Sequence, residues 1–585
     1  MIKKILEEKL KEILKIEKIE LVKPPKEDMG DFAFSCFEIA KEQKKNPVEV
    51  AKEILKQVQD DSVVSVIPVK AGISEKNSNN IIKDVKAFGP YVNFFINEKY
   101  LASEILKKIS DKDFGKLSVG KGKKVLIEFG CPNPLKVFHL GHLKNLITGE
   151  SVARVFENAG YSVLRVNYQG DVGMHVAKAL WGVNDLKKEF EEVKEKDLVE
   201  RVKFLGRAYT HGATNFENEK EKKEILEFNE MVYEKDEKIK DIWEQTRSWS
   251  LEYFDTIYKK LGTKYDHLYF ESEVFERGKS LVYEFLEKGV FKKSDGAIIF
   301  EGSKFGLHDR VFVNSKDYPT YEAKELALAE NRYDEYHPDK IIHVVGKEQT
   351  EYFKVVFKAL ESVVPESIGK SYHLIGGYLQ LKGEKKMSSR TGDVISGDEL
   401  IKYTEDKVKE IMKDSEVENR EETISNIVGA VLKYGMLKSN VSQDVAFDME
   451  ESISMLGDSG PYLLYIVARI KSILEKAGEE KNSKGISSEG ELVEVEKLSL
   501  EEKRLILNLS NFEEVNKNAL ESYDPSKISK YLFDLAQDFN NFYANCNILK
   551  SEGVQKEFRI YLIKTVENVM KNGLNLLGIK TVDKM

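Results

Sequence analysis

The stretch Val125 to Gly160, VLIEFGCPNPLKVFHLGHLKNLITGESVARVFENAG, allows few folds. Val125 to Phe129 is an apolar run of strand length. A loop punctuated by Gly130, Pro132 and Pro134 follows, then a helical pattern with apolar residues at Leu143, Leu146, Ile147, Ala153 and Phe156, stopped by Gly160. Tyr161 to Tyr168 supplies a second strand. The segment therefore predicts a βαβ unit and an α/β, doubly wound parallel sheet. His139, Leu140, Gly141 and His142 fall at the loop-to-helix junction, where free N–H groups and the positive end of the helix favour anions and Gly141 lets a ligand approach the backbone. Two imidazoles three residues apart here are compatible with caps, with one turn of a metal site, or with hydrogen-bond donors to a polyphosphate. Far downstream, Lys382 to Val394 (KGEKKMSSRTGDV) groups basic, hydroxyl and glycine residues as a phosphate-contacting loop would. The two stretches together are far more specific than either alone.

Composition sets outer bounds. The chain has 585 residues, of which 41% are hydrophobic and 33% charged, long enough for about three or four domains. No run of about 18 apolar residues occurs, and the N-terminal MIKKILEEKLKEIL is a charged amphipathic helix without a signal peptide's apolar centre. A cytoplasmic protein with no membrane segment is expected. Cys36, Cys131 and Cys546 are too few and too scattered for a disulfide framework or a cysteine-rich metal site, so free thiols and no structural zinc are expected. With a net charge of -9, any nucleic-acid surface must be a local patch of Lys and Arg on an acidic body.

Residues 1–110 alternate helical patterns with β-like runs such as VVSVIPVKAGIS and YVNFFIN, predicting a small α+β domain in which Ser74 to Asn80 is a hairpin tip or mobile loop. Residues 111–124 form a Gly-, Ser- and Lys-rich linker. The doubly wound domain spans 125–375, with a charged helical insertion at about 183–290 whose mixed charges predict solvated helix faces. Strand signals return at AIIFEG, DRVFVNS and KIIHVVG, as if the insertion split one sheet into two halves. After residues 376–420, the chain from 421 to 585 predicts an all-α helical bundle with a loose linker at Lys481 to Glu491. Tyr531, Phe533 and Phe542 have the spacing of core residues. Tyr462, Tyr465 and Arg469 fall at i, i+3 and i+7, a stripe suited to unstacked RNA bases, and Asn541 and Tyr543 are weaker candidates.

HLGH after a strand and KMSSR downstream resemble the two signature motifs of class I aminoacyl-tRNA synthetases. EFGCPNPLKVFHLGH narrows the likeness to arginyl-tRNA synthetases, and GDFAFSCFEIA, GPYVNFFIN, NYQGDVG, YEAKELALA, HVVGKEQTEYFKVVF and GPYLLYIVARI agree in order along the whole chain. The resemblance implies a Rossmann-type catalytic domain, an N-terminal additional domain against the tRNA elbow, residues 376–420 carrying the second signature and stem contacts, and an anticodon-binding C-terminal bundle. It implies ATP with Mg²⁺, L-arginine and tRNA(Arg) as partners of a monomer. His139, His142, Lys136 and Lys386 would stabilise the reacting phosphate, and Gly141, Gly346, Glu348, Met387, Ser388, Ser389 and Arg390 would complete the ATP site. A guanidinium offers five donors and no acceptor, so its pocket needs carboxylate, amide and phenol oxygens. Glu128, Asn133, Tyr321, Glu325 and Gln349 match the family's positions, and Met585 joins the anticodon candidates. Two departures stand out. Glu325 replaces the usual Asp, and Ser389 replaces the second lysine of the commoner loop, leaving Lys136 or Arg390 to substitute. Alternatives are a class I synthetase of different amino-acid specificity, a small-molecule nucleotidyltransferase, or a catalytically silent tRNA-binding paralogue.

Overall fold

A computed structural model describes residues 1–60, 81–382, 396–478, 495 and 497–585. Its centre is a five-stranded, all-parallel sheet of β1 (Lys124–Phe129), β2 (Ser162–Gln169), β3 (His267–Phe270), β4 (Lys340–Gly346) and β5 (Ser371–Gly376) in the order β5-β4-β1-β2-β3. The chain winds outward from β1 through β2 to β3, then returns to the other side of β1 for β4 and β5. The switch point therefore lies at the carboxyl ends of β1 and β4, where ligands of doubly wound sheets bind. The helix α1 (Leu140–Asn158) joins β1 to β2 and is buried along most of its length.

Five helices between Met174 and Lys260 intervene between β2 and β3. The first and third of these, Met174–Asp185 and Leu198–Asn215, cross closely. A Cβ on Gly182 would lie 2.1 Å from the Ala208 carbonyl oxygen and one on Gly212 would lie 2.0 Å from that of Lys178, so the crossing requires both glycines.

Two of the expected sheet segments lie elsewhere. Ala297–Phe300 and Arg310–Val313 belong, with Lys292–Ser294, to a separate three-stranded antiparallel sheet. The reason is local: Asp295 and Gly296 both have positive φ (49° and 79°), a two-residue hairpin turn that pairs Lys292–Ser294 with Ala297–Phe300. The parallel sheet instead recruits the four-residue β3. Helix α2 (Tyr321–Tyr336) then leads into β4.

In the N-terminal part, helix Ile2–Leu14 buries Ile2, Leu6 and Leu10 against a four-stranded antiparallel sheet that includes Tyr91–Ile96. The expected strand VVSVIPVKAGIS and the loop Ser74 to Asn80 lie outside the described residues, as does the linker Lys481 to Glu491. The C-terminal part is helical and includes α3 (Gly460–Lys476), α4 (Ser526–Asn545) and Gly553–Leu576. It is bonded to α1: Ser151 Oγ donates to the Leu576 carbonyl at 2.8 Å, and Arg154 Nη1 donates to Asn575 Oδ1 at 2.8 Å. Among the described residues no helix is long and apolar enough to cross a membrane.

Candidate active site

The loop after β1 is tightly constrained. Gly130, Cys131 and Leu135 all have positive φ, and Leu135 is held by burial and by a 3.0 Å bond from its N–H to Ser250 Oγ. Backbone held this way concentrates where side chains must be aimed. At the end of the loop His139 caps α1: its Nδ1 accepts the His142 N–H, while His142 Nδ1 accepts the His139 N–H, both at 3.3 Å. The two rings stack with centroids 3.5 Å apart. The reciprocal cap has a chemical consequence. With both Nδ1 atoms accepting, each neutral ring carries its proton on Nε2 and turns that donor away from the helix. Burial, reinforced by Lys136, pushes His139 down to about 4, and burial with the neighbouring His139 and Lys136 pushes His142 well below its ordinary range. Gly141 leaves room for this stack, since a Cβ there would lie 3.0 Å from the His139 ring.

The second basic stretch is anchored from both sides. Residues 383–395 lie outside those described, so Lys386, Met387, Ser388, Ser389 and Arg390 have no described position. Before them, Leu379–Leu381 pairs in parallel with Val445–Phe447. After them, Ser396 bridges to His139, and the Gly397 N–H donates to the Phe138 carbonyl at 2.7 Å. The ammonium of buried Lys144, on α1, donates to the Gly377 and Gln443 carbonyls at 2.8 Å each. Nothing in the sequence distinguishes this lysine from a solvated helix residue. Gly346 ends β4, and the exposed Glu348 folds its carboxylate over it, which a Cβ on Gly346 would prevent at 2.4 Å.

Glu128 is in register with His343 across β1 and β4, at the switch point. Its carboxylate is already engaged. Arg332 Nη2 donates to one oxygen, and the other lies 3.0 Å from His343 Nδ1. Glu128 was expected to face a substrate guanidinium, but a resident guanidinium occupies it. Burial alone would push the Glu128 carboxyl up from its ordinary range, yet Arg332 and His343 outweigh burial and hold it low. Glu325 is 4% exposed, with Arg332 Nη1 3.9 Å away; burial and the charge of Glu128 push its carboxyl up to about 7. Glu128, Glu325 and His343 bring ligand atoms within 4.8 Å of one another, but Arg332 is bound in their midst. Cys36, Cys131 and Cys546 are free thiols, and Cys131 lies near enough to feel the charges of Glu128, Arg332 and Glu325.

Beside this cluster, Lys324 Nζ donates to Glu271 Oε2 at 2.7 Å, both side chains buried. Asn133 Oδ1 accepts the Gly170 N–H at 2.8 Å, and Gln349 stands half-buried in the 3₁₀ turn after β4. Tyr321 does not join the carboxylates. It is 52% exposed, stacks under Lys324, and lines a cavity of about 420 Å³ with Lys136, Lys178, Tyr209 and Tyr233. Lys136 makes no ion pair among the described residues, and its ammonium lies 5.7 Å from the Tyr209 ring centroid. Arg332, His343, Glu271 and Tyr168 were missed by sequence reasoning. Arg332 lies seven residues after Glu325, the spacing of one helix face, which is the signal that would have linked them.

In the C-terminal bundle, Tyr465 and Arg469 stack on one another and Arg469 also reaches the Tyr543 ring, joining α3 to α4. Tyr462 departs from the expected exposed stripe. It is 8% exposed, with its hydroxyl accepting Asn540 Nδ2 at 2.8 Å, because Tyr462 turns toward α4. Asn541 is exposed, and Met585 packs partly buried against the bundle. Tyr531 and Phe542 are core residues, and Phe533 packs on that core.

Comparison with known proteins agrees along the whole chain. Residues 104–449 match the class I (R) tRNA synthetase catalytic domain, 463–585 the DALR anticodon binding domain, and 1–96 the arginyl tRNA synthetase N-terminal domain. The arginine–tRNA ligase of Clostridium acetobutylicum is 33% identical over all of both chains, and that of Treponema denticola is 32% identical over 97% of this chain and 95% of its own. Among solved structures, Thermus thermophilus arginyl-tRNA synthetase superposes with a TM-score of 0.79 over all of both chains at 23% identity, a likeness of fold. The chain belongs to the arginine–tRNA ligase family.

Proposed function

We propose that the protein activates L-arginine with ATP and transfers it to the terminal adenosine of tRNA(Arg), releasing AMP and pyrophosphate. The observation that carries this reading is the adjacency, on β1 and the loop after it, of two Nε2–H donors and a buried carboxylate pocket. ATP lies with its phosphates toward His139, His142 and the start of α1. The arginine carboxylate attacks the α-phosphorus in line, and pyrophosphate leaves. Neutral imidazoles suit this step: they donate to oxygens gaining charge without having to gain or lose a proton themselves. Lys136 and Lys386 supply positive charge to the departing pyrophosphate, with Arg390 the second candidate where Ser389 replaces lysine. Mg²⁺ enters with ATP and neutralises its phosphates. Gly346 and Glu348 flank the nucleotide, while Asn133 and Gln349 hold the α-amino end of arginine. A terminal ribose hydroxyl of the tRNA then attacks the adenylate carbonyl.

Residues 1–110 face the tRNA elbow and residues 421–585 the anticodon, where Tyr465, Arg469 and Tyr543 offer stacking surfaces beside Asn541, Met585 and the more deeply set Tyr462. The protein works as a cytoplasmic monomer in this reading. The test is aminoacylation of total tRNA with each labelled amino acid in turn, in ATP and Mg²⁺. Arginine alone is the expected product. Charging with another amino acid would assign a different specificity, and retained tRNA binding without charging would make the chain a silent paralogue.

A further inference from the structure

The amino-acid pocket has an internal charge count that its family membership does not supply. Three carboxylates, Glu128, Glu271 and Glu325, are each 4% exposed or less. Two buried cations meet them: Arg332 engages Glu128, and Lys324 engages Glu271 at 2.7 Å. The neighbouring Asp171 is balanced by Arg247 at 2.9 Å. Glu325 is left over. Its nearest cationic atom, Arg332 Nη1, is 3.9 Å away, beyond hydrogen-bond reach, on a guanidinium already bound to another carboxylate. A buried carboxylate without a partner keeps its proton rather than its charge.

The groups facing Glu325 come from every surrounding element: Glu128 on β1, the Cys131 thiol on the loop after it, His343 on β4, Arg332 on its own helix α2, and Glu271 just after β3. Tyr168 of β2 and Tyr352 of helix Thr350–Val363 border the same space. Of these, Arg332 is the permanent cation, and His343, 3.0 Å from Glu128 Oε1, adds favourable charge only when protonated. The Tyr168 hydroxyl is also buried without a hydrogen-bond partner, an acceptor left open beside an acid.

We propose that the pocket selects its substrate by a deficit of one positive charge: Glu325 rests as a protonated carboxyl and ionises only when a second guanidinium arrives, so that each arginine bound releases one proton. This rests on the arginine-ligating function proposed above. The O–H bond of the carboxyl breaks, the proton passes to solvent, and the carboxylate pairs with the incoming guanidinium, whose remaining N–H groups find the Tyr168 oxygen. A neutral side chain of similar size leaves the acid protonated and gains no ion pair. The longer Glu325, in place of the usual Asp, is thereby the residue that titrates.

Calorimetry of arginine binding to the full-length protein, in phosphate and in imidazole at matched pH, counts the protons. Close to one proton released per arginine at about pH 6, falling toward zero by about pH 8, is the expected result, with affinity dropping about tenfold per pH unit on the acid side. Infrared difference spectra provide a readout that does not depend on affinity: a protonated-carboxyl band in the arginine-free protein should disappear on adding arginine and be absent from Glu325→Gln. Binding with no proton exchanged in either buffer overturns the inference while leaving the function standing. So does a carboxyl band that persists in Glu325→Gln. Failure to bind arginine under any condition overturns both.

Discussion

In the proposed reaction His139 and His142 serve as donors because burial holds both imidazoles neutral at about pH 7. Removing one Nε2–H from the reacting phosphate should matter far more than removing a cap. His142→Ala is expected to slow adenylate formation about 10²- to 10³-fold with tRNA affinity unchanged, as read by arginine-dependent pyrophosphate exchange and a tRNA-binding titration. Arg332 acts differently. It stands between two buried carboxylates, so Arg332→Met should cost about 3–5 kcal/mol in urea unfolding, whereas Glu325→Gln should cost much less because that carboxyl has no close partner. Buried His175, bonded to the Gly170 carbonyl at 2.9 Å and pushed down to about 3 by burial, sets a pH dependence of stability. Its folded value lies below its unfolded one, so the unfolded chain takes the proton first. Stability contributed by His175 is full above about pH 6.5 and lost as pH falls from there toward 3. His175→Gln should flatten the fall in urea midpoint between about pH 7 and 5. At this scale sequence and structure diverge most. The sequence offered Glu128 and Glu325 alike as carboxylates for a guanidinium, but which of the two meets a resident guanidinium depended on Arg332, 204 positions from Glu128 along the chain.

The elements holding these side chains are spaced by glycine. Helix Glu271–Glu287 carries Glu271 and packs on α2, which carries Lys324 and Glu325; at their crossing a Cβ on Gly278 would lie 2.4 Å from the Ala323 carbonyl oxygen. Gly278→Ala must push the helices apart at a cost of about 1–3 kcal/mol, and the Glu271–Lys324 pair moves with them. A lowered melting temperature together with a raised KM for arginine, and an unchanged KM for tRNA, is the expected pattern in steady-state aminoacylation. β1, α1, β2 and β4 were legible because each carries its own period and its own stop. β3 was not, since four residues hold too little pattern to separate a strand from a loop. Ala297–Phe300 and Arg310–Val313 were visible as strands, but Lys292–Ser294 and the separate sheet they form together were not. An Asp-Gly turn closing on positive φ decides pairing locally and leaves nothing for the parallel sheet.

For the whole molecule, α1 is the shared wall. Its first turn carries His139 and His142, its middle holds Lys144 against the chain on either side of residues 383–395, and its far end is bonded to the C-terminal bundle through Ser151 and Arg154. Tyr465, Arg469 and Tyr543, the proposed anticodon contacts, thus belong to the same packed body as the proposed phosphate site. Arg469→Ala should weaken tRNA binding by about 1–3 kcal/mol, seen as a raised KM for tRNA, with tRNA-independent arginine binding unaltered. The sequence by itself determined the doubly wound sheet, the phosphate-binding helix start, the helical bundle and the kinds of side chain in the pocket, because these follow from local periodicity, stop residues and short motifs. Only the tertiary structure decided which charges cancel: which carboxylate meets Arg332, which meets Lys324, and which stands 3.9 Å from its nearest cation. Burial magnifies such pairings and sequence distance conceals them, since a low-dielectric contact across β1, α2 and β4 has no signature in any one of the three.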